Sequence, residues 1–252
     1  MPRARTRPAR RRNSPELAVG RFARLDRDRP RRVGVPEVIL GQGKSVEHLI
    51  EIVRGLRGAG LGALLSRPTG PQLRALSREA GAGMALRILA GGRVVRIEGP
   101  LGAQYRRGVV ALVTAGTSDV ALAEEARAIL EELGLGTVVA YDVGVAGLHR
   151  LLRALRTLER SDPEIYLVFA GREGALPTVV AGLVHAPVVG VPTSVGYGRG
   201  GKGEAALSAM LQSCAPLAVV NIDAAVPAGL FAAQLFAQPL RTVTRRSSHR
   251  RR

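Results

Sequence analysis

The chain has 252 residues, of which 46% are hydrophobic, 3% are aromatic and only one is a cysteine. This composition predicts a globular protein with an aliphatic core; it excludes an intrachain disulfide framework, and no apolar run is long enough to cross a bilayer. The net charge of +17 does not make the body strongly basic, because residues 1–12 and 241–252 hold twelve arginines, without which the net charge is +5. We therefore expect a cytoplasmic protein with neither a membrane nor a specific nucleic-acid partner.

Composition divides the chain into four parts. Residues 1–24 and 239–252 are predicted to be disordered Arg-rich tails, because their Pro, Ser and Arg residues cannot bury a core. Residues 25–105 are predicted to form a small N-terminal α/β subdomain, and residues 106–238 a larger catalytic domain.

The subdomain shows short elements separated by turn signals. A strand leads into a turn at residues 34–43, and Ser45 is placed to cap the helix that follows, which carries apolar residues at helical spacing. Further along, the sequence predicts a short helix with proline in its first turn and two strands joined by Gly91-Gly92, at residues 71–79, 85–89 and 94–97.

The C-terminal half repeats one unit five times: an apolar strand, a loop and an amphipathic helix. Such alternation predicts a parallel sheet with helices on both faces, and five units favour a flavodoxin-like α/β/α fold of three layers. The strands are predicted at residues 109–113, 137–141, 165–170, 187–191 and 217–222, and the helices at 119–133, 148–158, 176–184, 204–212 and 229–235.

Ligands of such sheets bind beyond the carboxyl ends of the strands. Four of the five loops at that edge carry glycine or small hydroxyl residues, which bring backbone N–H groups close to a phosphate or carboxylate, and the fifth carries Asn221 and Asp223. A single loop of this kind is equally typical of an ordinary helix N-cap, but the five loops together predict a binding site, although none is a GxGxxG or P-loop motif. The candidates are Gly116, Thr117, Ser118, Asp119, Asp142, Gly144, Gly171, Glu173, Ser194, Gly196, Tyr197 and Asn221.

The single cysteine, Cys214, lies between the fourth helix and the fifth strand of this half. A lone cysteine is more often a small buried hydrophobe than a nucleophile. The four histidines, at positions 48, 149, 185 and 249, do not define a Cys/His pair. From its loop, Tyr197 is equally suited to stack on a ligand ring or to pack against the protein.

Several segments together resemble the LarB family of nickel-pincer cofactor biosynthesis, which is related to the PurE-type aminoimidazole ribonucleotide (AIR) carboxylases. The resemblance covers about residues 25–236 and includes Pro36–Ile39 followed by Gly43-Lys44-Ser45. The segments that carry it most strongly are Thr114–Asp119, Asp142–Arg150, Gly171–Pro177, Val191–Gly198 and Ser213–Asp223.

The resemblance implies an enzyme, a homo-oligomer of octameric type, and a dinucleotide substrate. It implies carboxylation of C5 of the pyridinium ring of nicotinic acid adenine dinucleotide, with CO2 or bicarbonate as co-substrate. It also implies hydrolysis of the phosphoanhydride, giving pyridinium-3,5-biscarboxylic acid mononucleotide and AMP.

The roles of individual residues follow from the same resemblance. Cys214 becomes the covalent catalyst, whose thiolate adds at C4 and makes C5 nucleophilic. Glu173 stands where the purine carboxylases carry a histidine; it is expected to remove the C5 proton, aided by burial that raises its pKa. Ser118 and Asp119 would hold hydroxyls or phosphate. The remaining rim residues would contact ribose, phosphate or CO2, and Asn221 with Asp223 would position the ring or a magnesium ion.

Some positions depart from the family pattern, notably Arg172, Arg199–Gly203 and Ala224–Pro227. Three alternatives stay open: an AIR carboxylase or mutase of purine biosynthesis, a nucleic-acid-associated protein that uses its Arg-rich tails, and, because of these departures, a degenerate paralogue that binds a nucleotide without turning it over.

Overall fold

The computed structural model describes residues 15–81, 83 and 85–238. Residues 1–14, 82, 84 and 239–252 lie outside the described residues, and with them most of the predicted N-terminal tail and all of the predicted C-terminal tail. Among the described residues, no helix combines the length and apolar character needed to cross a bilayer.

The N-terminal part forms a hairpin and a four-stranded sheet. The sheet order is β3-β4-β6-β5, with β3 and β4 parallel and the other two pairs antiparallel. In chain order the elements are β1 (Glu16–Val19), β2 (Ala23–Asp26), α1 (Arg29–Val33), β3 (Val38–Leu40), α2 (Val46–Gly58), β4 (Ala63–Ser66), α3 (Gly70–Gly81), β5 (Leu86–Leu89) and β6 (Val94–Ile97).

Two features of this part differ from the sequence prediction. Residues 15–24, assigned to the disordered tail, belong to the β1–β2 hairpin, because buried Val19 and Leu25 pack into the same apolar cluster as helix α2. Strand β4 was missed. It is a central strand buried on both faces, and its four residues are too few to show a period.

The C-terminal part is a five-stranded parallel sheet of order β11-β10-β9-β7-β8, so the first strand along the chain lies between the second and third. This order confirms the predicted flavodoxin-like α/β fold. The elements are β7 (Val109–Thr114), α4 (Val120–Glu132), β8 (Gly136–Ala140), α5 (Leu148–Leu158), β9 (Ile165–Ala170), α6 (Ala175–Ala181), β10 (Val188–Pro192), α7 (Glu204–Leu211), β11 (Ala218–Val219) and α8 (Ala225–Gln234).

Helices α4 and α8 form a layer shared by the two sheets. One continuous apolar cluster joins Ile129 of α4 and Ala232 of α8 to Leu112 and Phe169 of the parallel sheet, and to Leu64 of β4. The opposite face of the parallel sheet packs against α5, α6 and α7. The core therefore crosses the predicted domain boundary, and this brings the N-terminal sheet close to the carboxyl edge of the parallel sheet.

Candidate active site

A cleft of about 680 Å³ opens at the carboxyl edge of the parallel sheet, between the loops that follow β7, β8, β9 and β10. Eight of the predicted residues line it: Gly116, Ser118, Asp119, Gly144, Gly171, Glu173, Gly196 and Tyr197. A smaller cavity of about 300 Å³ in the N-terminal part has a mostly apolar lining. We take the rim cleft as the candidate site, because several polar groups converge there.

Asp119 is the buried acid of the cleft. It ends one turn of 3-10 helix, Thr117–Asp119, and its carboxylate accepts from the backbone N–H of Gly116 at 2.9 Å and from the hydroxyl of Thr193 at 2.7 Å. Burial raises its pKa above the ordinary value of 3.8, against the lowering effect of these two hydrogen bonds. Asp119 thus ties the first rim loop to the fourth.

In the third rim loop, the backbone lies directly against the backbone of the fourth rim loop and of helix α7. A Cβ atom on Gly171 would lie 2.3 Å from the carbonyl oxygen of Val195, and one on Gly174 would lie 2.6 Å from that of Ala206, so both positions require glycine. Between them, Glu173 lines the cleft with its side chain exposed. The expectation that Glu173 is buried is therefore wrong for the single chain; the buried carboxylate is Asp119.

Arg172 and Tyr197 form the mouth of the cleft. The guanidinium carbon of Arg172 lies 4.4 Å from the centroid of the Tyr197 ring, a cation–π contact. Tyr197 is 77% exposed, so much of its ring is open to a ligand. Among the described residues that line the cleft, Arg172 is the only cation. An anionic substrate group entering the cleft thus meets one positive charge beside an aromatic surface.

Four other predicted residues lie at the same edge without lining the cleft. Thr117 is exposed in the turn before Asp119. The carboxylate of Asp142 pairs with Arg150 at 3.2 Å. The backbone N–H of Ser194 donates to the carboxylate of Asp223 at 2.8 Å, and the side-chain oxygen of Asn221 accepts from the next backbone N–H.

Cys214 lies at the opposite edge of the sheet. In the pairing of β10 with β11, Val189 is level with Ala218, and Cys214 precedes Ala218 by four residues. The strand from Val189 to Thr193 spans about 13 Å, so the thiol and the cleft of one chain lie at opposite ends of the strands. Cys214 is also exposed, so it is not the buried core residue that its lone occurrence favoured.

A magnesium ion near Asn221 and Asp223 stays a prediction. No group of three or more His, Cys, Asp or Glu side chains in the described part of the chain is arranged to hold a metal ion. Asn221 and Asp223, the predicted ligands, each use a side-chain oxygen to accept a backbone hydrogen bond.

Sequence reasoning left Thr193 out of the site. Its side chain is fully buried and its hydroxyl donates to Asp119, joining two rim loops. The available signal was its position directly after the end of β10, where side chains face the ligand edge.

The described histidines lie away from the cleft lining. The ring of His48 stacks on Phe22 with 4.1 Å between centroids. His149 is exposed in the first turn of α5, and His185 precedes β10 at the amino edge of the sheet. In this part of the chain, no histidine lies in the third rim loop, where Glu173 stands.

Comparisons with known proteins agree with the two-part architecture. The AIR carboxylase family model matches residues 109–252, and the LarB/PurE-like N-terminal domain model matches residues 17–87, which include most of the β1–β2 hairpin. An uncharacterized protein of Methanocaldococcus jannaschii is 40% identical over 215 residues, covering 83% of this chain and 82% of that protein.

Other relatives match the C-terminal half. A probable N5-carboxyaminoimidazole ribonucleotide mutase of Methanothermobacter thermautotrophicus is 33% identical, covering 50% of this chain and 37% of that protein. The N5-carboxyaminoimidazole ribonucleotide mutase of Methanocaldococcus jannaschii is 30% identical, covering 51% of this chain and 79% of that protein. The predicted relationship is confirmed: the chain belongs to the AIR carboxylase family, as a LarB-like, PurE-related member with the LarB/PurE-like N-terminal domain.

Proposed function

We propose that this protein carboxylates the pyridinium ring of nicotinic acid adenine dinucleotide at C5 and hydrolyses its phosphoanhydride. The products are pyridinium-3,5-biscarboxylic acid mononucleotide and AMP, and the co-substrate is CO2 or bicarbonate. The observation that carries the proposal is Glu173 in the third rim loop, lining a cleft whose described residues include no histidine.

The two halves of the chain also support this function over purine carboxylation. The purine mutases match about half of the chain, whereas the N-terminal sheet belongs to the LarB/PurE-like domain. That sheet packs on α4, the helix that Asp119 begins.

The carboxylation balances without an oxidant or a reductant. The Cys214 thiolate forms a bond to C4, and the ring becomes an enamine with a nucleophilic C5. C5 then forms a bond to the carbon of CO2. Loss of the C5 proton to the Glu173 carboxylate and departure of the thiolate restore the aromatic pyridinium, with a carboxylate in place of hydrogen.

The cleft residues take complementary roles in this scheme. Arg172 binds an anionic group of the substrate, and Tyr197 offers its ring for stacking. The exposed hydroxyl of Ser118 donates to a ribose or phosphate oxygen. Asp119 already accepts two hydrogen bonds from the protein, so its role is to hold the first and fourth loops together. The phosphoanhydride is cleaved by water, with AMP as the leaving group.

Because Cys214 lies at the amino edge of its own sheet, the thiolate in this scheme comes from a second copy of the chain. The protein would then act as a homo-oligomer in which the amino edge of one copy meets the cleft of another. Exposure of Cys214 in the single chain is compatible with this arrangement, since a catalytic thiol supplied in trans must be accessible.

The test is incubation with nicotinic acid adenine dinucleotide and 13C-bicarbonate, followed by mass spectrometry. We expect AMP and a mononucleotide that carries one labelled carboxylate. A parallel incubation with N5-carboxyaminoimidazole ribonucleotide tests the purine reaction. Turnover in that arm alone would reject the proposal, and so would unchanged carboxylation by Cys214→Ala.

A further inference from the structure

A buried carboxylate on α4 binds three side chains of the N-terminal part. Glu125 is fully buried and accepts from the hydroxyl of Ser66 at 2.7 Å, from Arg67 Nε at 2.9 Å and from Arg93 Nη2 at 2.9 Å. Ser66 ends β4, Arg67 follows it, and Arg93 directly precedes β6. Leaving such a carboxylate buried and unpaired is strongly destabilising, so these donors fix the N-terminal sheet on α4.

Arg67 makes a second contact that Arg93 does not make. Its Nη2 donates to the backbone carbonyl of Asp223, in the fifth rim loop. Arg67 has a φ of +50°, a left-handed conformation that is costly for a residue with a Cβ. Its own N–H donates to the carbonyl of Arg93 at 2.7 Å. The backbone is therefore held in an unfavourable conformation that lets one guanidinium reach two targets.

Asp223 in turn anchors the fourth rim loop. It also has a positive φ, +58°. Its N–H donates to the carbonyl of Pro192 at 2.8 Å, and its carboxylate accepts from the N–H of Ser194 at 2.8 Å. Thr193, between these two residues, donates to Asp119.

These contacts form one continuous series from the N-terminal subdomain to the cleft. They run from Glu125 through Arg67 to Asp223 and on to Ser194, the residue before the segment Val195–Tyr197 that lines the cleft. If Arg67 served only to join the two sheets, its pairing with Glu125 would complete that task. The contact with Asp223 adds control over the position of a loop that contacts substrate.

We propose that Arg67 is a positioning residue, through which the N-terminal subdomain fixes the fourth rim loop of the cleft. Its part in substrate binding rests on the proposed function, whereas its hold on the loop does not. Arg67 touches no reacting atom in this scheme. It acts through Asp223, and the property that it controls is the order of the loop from Thr193 to Tyr197.

Arg67→Lys tests this, with Arg93→Lys as its matched control. Both variants weaken the pairing with Glu125, but only Arg67→Lys removes a donor from Asp223, because one ammonium cannot reach both targets. The measurement is hydrogen–deuterium exchange of the Ser194 amide in the full-length protein. We expect exchange about 10-fold faster in Arg67→Lys, the effect of losing one hydrogen bond made by a charged group, and within about 2-fold of wild type in Arg93→Lys. Equal exchange in the two folded variants would overturn the proposal.

A second pair of variants tests the same series of contacts at Asp223, without changing the pairing of Arg67 with Glu125. Asp223→Asn keeps a side-chain acceptor for Ser194 and tolerates the positive φ, so the Ser194 amide stays protected. Asp223→Ala removes that acceptor, and faster exchange at Ser194 is expected. Unchanged exchange in Asp223→Ala would contradict the proposal even if Arg67→Lys fails to fold.

The kinetic readout separates this inference from the proposed function. With the dinucleotide as substrate, Arg67→Lys is expected to raise KM about 10-fold and to change kcat less than about 2-fold, which a general loss of folded protein would not do. If the wild type has no such activity, the proposed function fails and the exchange experiment still decides the role of Arg67. A fall in kcat with KM unchanged would reject positioning of substrate.

Discussion

At the carboxyl edge of the parallel sheet, eight predicted residues line one cleft, whereas at the amino edge the predicted nucleophile, Cys214, is exposed and distant from them. Both edges belong to the same five strands, and strand direction alone separates them. One chain thus carries the residues that line the cleft without the thiolate that the proposed chemistry needs. In the proposed scheme, an oligomer would bring the amino edge of one copy to the cleft of another and so complete the set of reacting groups.

The largest expected effect on kcat comes from substituting the proposed reacting residue at each edge of the sheet in turn. Cys214→Ser removes the thiolate and Glu173→Gln removes the base, so each is expected to lower kcat at least about 100-fold. If the two residues meet across copies, co-expressed and co-purified variants regain activity, because about a quarter of randomly paired sites keep both native groups. Steady-state carboxylation of the mixture measures this.

The control for that experiment is co-expression of Cys214→Ser with a chain carrying both substitutions, in which no site keeps both groups. A mixture of the single variants that stays as inactive as this control would show that the two edges do not cooperate across copies.

A smaller effect is expected from Asp119→Asn at the carboxyl edge. Burial raises the pKa of Asp119 above 3.8, so the folded wild type holds this proton more tightly than the unfolded chain does. The contribution of Asp119 to stability therefore falls as the pH rises from 3.8 through the raised pKa.

The Asn side chain has one acceptor oxygen fewer, so one of the two donors loses its partner, at a cost of about 1–3 kcal/mol. The Asn variant is free of this pH dependence. Urea denaturation at pH 4 and pH 8 should show a smaller deficit for the variant at pH 8. A deficit that grows with pH would contradict the prediction.

The mouth of the cleft should show a modest effect. Arg172→Met removes the only cation among the described lining residues together with its contact to Tyr197. In the proposed scheme Arg172 pairs with an anionic group of the substrate, and an exposed ion pair is worth up to about 1 kcal/mol, so we expect KM for the dinucleotide to rise about 2- to 5-fold, with partial recovery in Arg172→Lys. Arg199→Met, outside the cleft lining on the same loop edge, serves as the control. Equal KM values for the Arg172 and Arg199 variants would remove Arg172 from the site.

The smallest effect is expected from the termini. Deleting residues 1–12 and 241–252 removes twelve arginines and should leave kcat/KM within about 2-fold, because the proposed chemistry uses neither segment. Retention on a polyanionic column at low salt should fall. A loss of activity on deletion would mean that the two sheet edges are not sufficient.

Much of the C-terminal half could be predicted from the sequence. Runs such as Val109–Val113 are apolar throughout, because both faces of a parallel strand are buried. Short elements were harder: β4 has four residues and β11 only two, too few for a period to emerge. Most of the β1–β2 hairpin was assigned to a tail, because its charged residues resemble those of residues 1–14. Its two buried residues, Val19 and Leu25, become buried only by packing near α2.

The sequence by itself determined which loops form the site, because parallel strands bring all their carboxyl ends to one edge, so Ser118 and Glu173 could be assigned to the same cleft. The same rule puts a residue between a helix and the following strand at the amino edge, so the position of Cys214 was also contained in the sequence, although the resemblance assigned it to the site at the carboxyl edge. The sequence did not reveal that Glu125 receives Arg67 and Arg93, which are 58 and 32 residues away along the chain. Contacts of that kind depend on how the two sheets share α4, and only the tertiary structure decides that.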